Sequence, residues 1–252
     1  GEVLNRVQLP VPEGFAITTR AYDTLLAHND LVDEIHKIKM ELDINNPESI
    51  QTVSEDIQRL IIAAKVPAEL EEAIADGYRQ LTRRLCETGF DCLSPPVSMR
   101  SSAIGEDSEL SFAGQYLSLL NVPEHQLLQS YKYVVASLYT PRAISYRLNK
   151  GIRDEDIAMS VACLQMVASV ASGVIYSHHP YHRTEDHIII SAVWGLGPYA
   201  VDGHITPDTY VVAKDPENTV IESRISPKPV QLVTNPDGGL MEVPVDGEQC
   251  HA

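Results

Sequence analysis

Between Asp30 and Thr88 apolar residues recur at helical spacing: Val53, Ile57, Leu60, Ile61 and Ala64 share one face, and Leu70, Ile74, Leu81 and Leu85 share another. Asn45-Asn46-Pro47 and Val66-Pro67 punctuate the turns, and charged runs such as Glu69-Leu70-Glu71-Glu72 supply the solvated sides. Ahead of this block, Gly14 to Thr19 predicts a glycine turn and a short strand, with Thr19 capping a helix from Arg20 to about His28. Behind it, a strand-type run from Val97 and a second from Leu117 to Val122 precede an amphipathic helix from Glu124 to Tyr139. Pro141 opens a further helix, Arg142 to Asn149, which Gly151 closes.

From Asp156 onward the pattern turns to β. Strands are predicted at Ile157–Val167, Ser172–Ser177, His187–Val193, Thr209–Val212, Val220–Ile225 and Val230–Val233, with a hairpin turn over Asn235-Pro236-Asp237-Gly238-Gly239. Helices gathered in the first half and strands in the second predict an α+β protein. The expected division is an N-terminal lobe, residues 1–150, carrying a helical insert over about 21–92, and a β-rich C-terminal lobe, residues 151–252, built on an antiparallel sheet.

Composition narrows the function classes. A chain of 252 residues with 44% hydrophobic residues is long enough for substantial cores. Its net charge of −16 opposes nonspecific binding to nucleic acid or to anionic membranes, while leaving room for a small anion held by a few focused cations. No apolar run approaches the roughly 20 residues that cross a bilayer, and a cytoplasmic location is expected. Cys86, Cys92, Cys163 and Cys250 form no Cys-x-x-Cys pair and are expected to be reduced thiols. His178, His179 and His182 cluster around Pro180, but neighbours on a strand point to opposite faces, so a metal site is not expected there. Arg142 and Arg147 lie five apart and do not share one helical face well; they are expected at the surface or in ion pairs, a phosphate role being the alternative.

The stretch most suited to chemistry is Val97-Ser98-Met99-Arg100-Ser101-Ser102, which continues into a loop bearing Gly105 and Gly114. A strand end holds a guanidinium rigidly, an arginine fork matches phosphate oxygens in pairs, and glycines admit close backbone approach to an anion. A solvated surface hairpin would look the same in so short a motif. Gln165-Met166-Val167 offers an edge for a purine: an amide, a polarizable wall and backbone groups at a strand end. A satisfied interior amide is the alternative for Gln165.

Several stretches together resemble one family, the N-terminal nucleotide-binding domain of phosphoenolpyruvate synthase and pyruvate phosphate dikinase. They are Leu9-Pro10-Val11-Pro12-Glu13-Gly14-Phe15-Ala16-Ile17-Thr18-Thr19-Arg20-Ala21-Tyr22, Met99-Arg100-Ser101-Ser102-Ala103, Ser111-Phe112-Ala113-Gly114-Gln115 and Ile144-Ser145-Tyr146-Arg147. Gln165-Met166-Val167, Ser172-Gly173-Val174, Trp194-Gly195-Leu196-Gly197 and Gly203-His204-Ile205-Thr206-Pro207-Asp208-Thr209-Tyr210 follow in the family's order. The resemblance implies an ATP-grasp fold that holds ATP with Mg²⁺ between two lobes. It implies transfer of a pyrophosphoryl or phosphoryl group from ATP to a histidine on a separate domain, which then phosphorylates pyruvate on a third. Arg100 would contact phosphate, joined by Ser101; Gly114 would give close backbone approach; Ser118 would stand where the family usually has threonine; Gln165 and Val167 would lie at the adenine. Relatives acting on a rifampin-like drug or a glucan share this domain, and a nucleotide- or partner-binding pseudoenzyme is the alternative from another class. The family's Gly-Gly-Lys lysine would precede Gly1, and its late acidic metal ligand and Gln-x-Arg-Pro element would follow Ala252, so a truncated fragment, inactive alone, is expected. Pro198 stands where the family usually has glutamate.

Overall fold

Burial of several amphipathic helices against one face of a four-stranded sheet organises the first part of the chain. The computed structural model describes residues 6, 10–87, 94–104, 116–153, 156–180, 186–247 and 250, and it divides into two compact units, residues 1–166 and 167–252. In the first unit β1 (Gly14–Ile17), β2 (Val97–Ala103), β3 (Ser118–Val122) and β4 (Met159–Gln165) form an antiparallel sheet in the order β1-β4-β2-β3. Helices α1 (Thr19–His28), α2 (Leu31–Lys39), α3 (Pro47–Ala63), α4 (Ala68–Glu87), α5 (Leu127–Ala136) and α6 (Pro141–Lys150) accompany it.

The helix ends follow local chemistry. Asn46 caps α3 by accepting from the Glu48 N–H at 3.0 Å with Pro47 in the first turn, Thr140 caps α6 through the Ala143 N–H, and Gly151 ends α6 in the left-handed region at φ 65°. Thr18, not Thr19, holds the α1 N-cap position, in extended backbone. The apolar faces meet as their periodicity requires. Leu25, Ile57, Ile61, Leu81 and Leu85 pack in one core with Val97, Met99, Met159, Val161 and Cys163 of the strands. Each large apolar side chain so buried contributes about 1.5–3 kcal/mol.

One strand changes sides relative to the expected division. The run after Asp156 was expected in the C-terminal lobe, but β4 inserts between β1 and β2, pairing Cys163 with both Phe15 and Met99. The unit boundary therefore falls after Met166 and not after 150. A β-branched run shows that a strand forms without showing which distant strand it pairs with.

The second unit carries β5 (Ala171–Tyr176), β6 (His187–Trp194), β7 (Asp208–Ala213) and β8 (Val220–Arg224) in sequential antiparallel order, with the short helix α7 (Tyr199–Asp202) and the hairpin β9 (Val230–Thr234)–β10 (Leu240–Pro244). The expected turn at Asn235–Gly239 closes that hairpin. Helices with antiparallel sheets place the molecule in the α+β class. Gly195 joins the pieces of this unit: its N–H donates to the Val170 carbonyl at 2.8 Å, its carbonyl accepts from Ser172, and it bridges to Leu232. At φ 71°, with the Leu232 oxygen 2.3 Å from where a Cβ would sit, the position accepts only glycine without strain. Pro198, in helical backbone at φ −52°, leads directly into α7.

A second tie is ionic. The Lys228 ammonium, 1% exposed, donates to Asp208 at 2.6 Å and to the Ser226 carbonyl at 2.9 Å, and the same Asp208 oxygen accepts from the Ser226 N–H. Removing one member of such a pair leaves the other charge buried alone, which costs about 3–5 kcal/mol. Lys228→Met is expected to lower the unfolding free energy of the second unit by about that amount. Trp194, the single tryptophan, lies in this unit, so urea unfolding followed by its fluorescence reads the change; a loss below about 1 kcal/mol would show that the pair constrains little.

Candidate functional site

Alternation along β2 sorts its side chains onto two faces. Val97, Met99 and Ala103 are buried against the helices, whereas Arg100 and Ser102 are exposed on the other side. Directly opposite Arg100 stand Ala162 on β4 and Ser118 on β3, and opposite Ala162 stands Ala16 on β1. The flanking rows of the same face hold Gly14, Leu164 and Ser98 on one side and Ser160 and Ser102 on the other. Apart from Leu164 and, by the alternation along β3, Leu120, this face is built of glycine, alanine and serine around a single guanidinium. Among the described residues the Arg100 guanidinium has no hydrogen-bond or ion-pair partner.

A bulge sets this arrangement. Val97 pairs with Val122, but Met99 pairs with Leu119 and Arg100 with Ser118, so β3 carries one residue more than β2 across that interval. Asn121 takes up the extra length in left-handed backbone at φ 58° and is itself buried. Without it the register would put Leu119 beside Arg100; with it Leu119 turns to the helix-facing side and Ser118 comes to the open face.

The structure brings Arg100 and Ser118 together and separates others of the expected set. Ser101 falls on the helix-facing side, opposite Val161, and Gln165 ends that same side's row, opposite Val97. Ser102, not among the expected residues, shares the Arg100 face; the two-residue period of a strand carries that signal. The Gln165 N–H donates to the Glu13 carbonyl at 2.8 Å and the Met166 N–H to the Pro96 carbonyl at 3.1 Å, so neither backbone donor is open, whereas the exposed Val167 N–H has no partner among the described residues. Gly114 lies outside the described residues.

Arg147 is not a surface residue. It is 2% exposed, in line with Ala143 and Ile144 on the buried face of α6; its guanidinium donates to the Leu138 carbonyl and lies 5.5 Å from the Tyr139 ring centroid. Its spacing from Ala143 and Ile144 is the apolar helical spacing, a signal present in the sequence. Burial lowers its pKa, and the phenols of Tyr139, Tyr116 and Tyr22 act against that shift. Cys86 also departs from expectation: it is disulfide-bonded, whereas Cys163 and Cys250 are free; Cys92 lies outside the described residues. Cross-linking depends on how close two sulfurs come in space, which local spacing does not encode. His178 lies 3.1 Å from Asp186, which also receives Lys214; among the described residues no three His, Cys, Asp or Glu side chains are placed to hold a metal. Nor is any described helix long and apolar enough to cross a membrane. Cavities of about 390 and 500 Å³ open among the helices, and none of the sequence-predicted site residues lines either of them.

Comparison with known proteins assigns this architecture. The family model described as "Pyruvate phosphate dikinase, AMP/ATP-binding domain" matches residues 1–252. The chain belongs to that family. It is 37% identical to the phosphoenolpyruvate synthase of Aeropyrum pernix over 99% of this chain and 30% of the relative. It is 36% identical to a probable phosphoenolpyruvate synthase of Staphylothermus marinus, over 95% of this chain and 28% of the relative. The same identity holds to one of Archaeoglobus fulgidus, over 100% of this chain and 32% of the relative. The chain thus spans about a third of the length of these relatives.

The two arginines should separate cleanly by stability. Arg100→Ala, on an open face, is expected to move the unfolding free energy by no more than about 0.5 kcal/mol. Arg147→Ala leaves a cavity and an unpaired Leu138 carbonyl and is expected to cost about 2–4 kcal/mol. Parallel denaturant titrations followed by circular dichroism check both values.

Proposed function

We propose that this chain is the ATP-binding module, of ATP-grasp type, of a phosphotransferase that forms phosphoenolpyruvate from pyruvate, passing a pyrophosphoryl or phosphoryl group from ATP to a histidine on another domain. Membership of an AMP/ATP-binding family supports the nucleotide, and the phosphoenolpyruvate synthases among its relatives support the reaction. The observation that carries the assignment to residues is the open Arg100 face.

On this reading the Arg100 guanidinium takes phosphate oxygens two at a time, and the charge that spreads over those oxygens during transfer is what it stabilises. The Ser118 and Ser102 hydroxyls donate from the same face, while Ala162 and Ala16 leave the volume that the phosphates occupy. The Gly114 backbone completes the phosphate contacts, whereas Ser101 and Gln165, on the helix-facing side, are given no contact on this face. Mg²⁺ accompanies ATP in such chemistry, but the described residues supply no ligand cluster for it, and no step is assigned to it. A phosphohistidine domain and a pyruvate domain are the required partners, and the cytoplasm is the compartment that supplies ATP.

Titration calorimetry with ATP and with adenosine tests the assignment. Arg100→Ala is expected to weaken ATP at least about tenfold, since a charge-assisted bidentate contact is lost, and to leave adenosine unchanged. Equal ATP affinity in the variant would overturn the role given to Arg100.

A further inference from the structure

On the helical side of the first unit, α1 and α2 enclose a cavity of about 500 Å³ whose wall includes Tyr139 and Ile157. Leu26, Ile35 and Ile157 give it a buried apolar lining. Its buried polar groups are donors. Tyr22 and Tyr139, 4% and 2% exposed, share one hydrogen bond, hydroxyl to hydroxyl, at 3.2 Å. Such a bond uses one proton, and the accepting hydroxyl keeps its own to give elsewhere. Among the described residues neither hydroxyl has a further acceptor. Burial raises the pKa of both phenols, so the donor persists at every ordinary pH.

Cationic charge reaches the same space. Lys39, half-buried at the end of α2, lines it, and Arg147 stands against the ring of Tyr139. Burial first, and then the charge of Arg147, push the Lys39 ammonium down to about 8, which places both cations in one field. The other titratable groups lining the cavity are Asp23 from α1 and Asp33 and His36 from α2, all exposed. Two carboxylates at the solvent side oppose a multiply charged guest, while the buried donors favour a single negative charge.

We propose that this cavity is a binding site for a small organic monoanion, a carboxylate with a short branched apolar body, accepting hydrogen bonds from the Tyr22–Tyr139 pair and from Lys39. The apolar body fills the space between Leu26, Ile35 and Ile157. This site is separate from the Arg100 face and does not depend on the nucleotide reading.

Isovalerate and its neutral isostere isovaleramide are suitable probes, titrated at constant ionic strength into the 252-residue chain and followed by amide NMR signals of α1 and α2. Isovalerate is expected to shift those signals saturably at millimolar concentration, with isovaleramide at least about tenfold weaker. Lys39→Met is expected to weaken isovalerate by a similar factor, Tyr22→Phe to weaken it as well, and Arg100→Ala to leave it unchanged. The acid and amide comparison on the unaltered chain stands even if Tyr22→Phe fails to fold. Equal binding of acid and amide, no saturation by about 50 mM, or an unchanged affinity in Lys39→Met would overturn the proposal.

Discussion

The first unit depends on one strand that arrives late in the chain. Until β4 lies between β1 and β2, those two strands have no ladder to share and the Arg100 face does not exist. The pairing is distant in sequence: Phe15, Met99 and Cys163 meet across β1, β2 and β4. Such contacts meet the entropy of closing long loops before they return any stabilisation, and here the helices supply it, because the buried residues of β2 and β4 join the same core as α3 and α4. The helical block is therefore the support that turns one face of the sheet inward and leaves the other open.

The same unit uses arginine in two opposite environments. Arg100 projects from an open face with small neighbours, where water and an incoming anion compete for it at little structural cost. Arg147 is enclosed by Leu138 and Tyr139, where its charge is poorly solvated and acts over the adjoining space, adding to the burial that lowers the pKa of Lys39. Burial decides the difference, and burial follows from which helical or strand face each residue occupies.

In the second unit, whose apolar core is modest, specific ties carry more of the organisation. Gly195 lets the end of β6 approach β9 closely enough for backbone bonding, and the Asp208–Lys228 pair links the start of β7 to the segment leading into β9. Both ties are intolerant of change for definite reasons: a Cβ has no room at Gly195, and either charge alone would be stranded in a low dielectric.

Much of this was legible in the chain. The helices from Thr19 to Glu87 follow from three- and four-residue apolar spacing, the ends of α3 and α6 from Asn46-Pro47, Thr140-Pro141 and Gly151, and the β9–β10 hairpin from its turn residues, because each is a short-range consequence of local chemistry. The candidate Arg100 was also visible, as a cation in a strand-type run, although it lies in the middle of β2 and not at the strand end expected. What the chain alone left open was non-local. The partner of β4, the bulge at Asn121 that turns Ser118 toward Arg100, the side of the sheet taken by Ser101 and Gln165, and the burial of Arg147 all depend on registers and packing between distant segments. A one-residue shift in register exchanges every side chain between faces, so the face a residue occupies is settled by the folded whole.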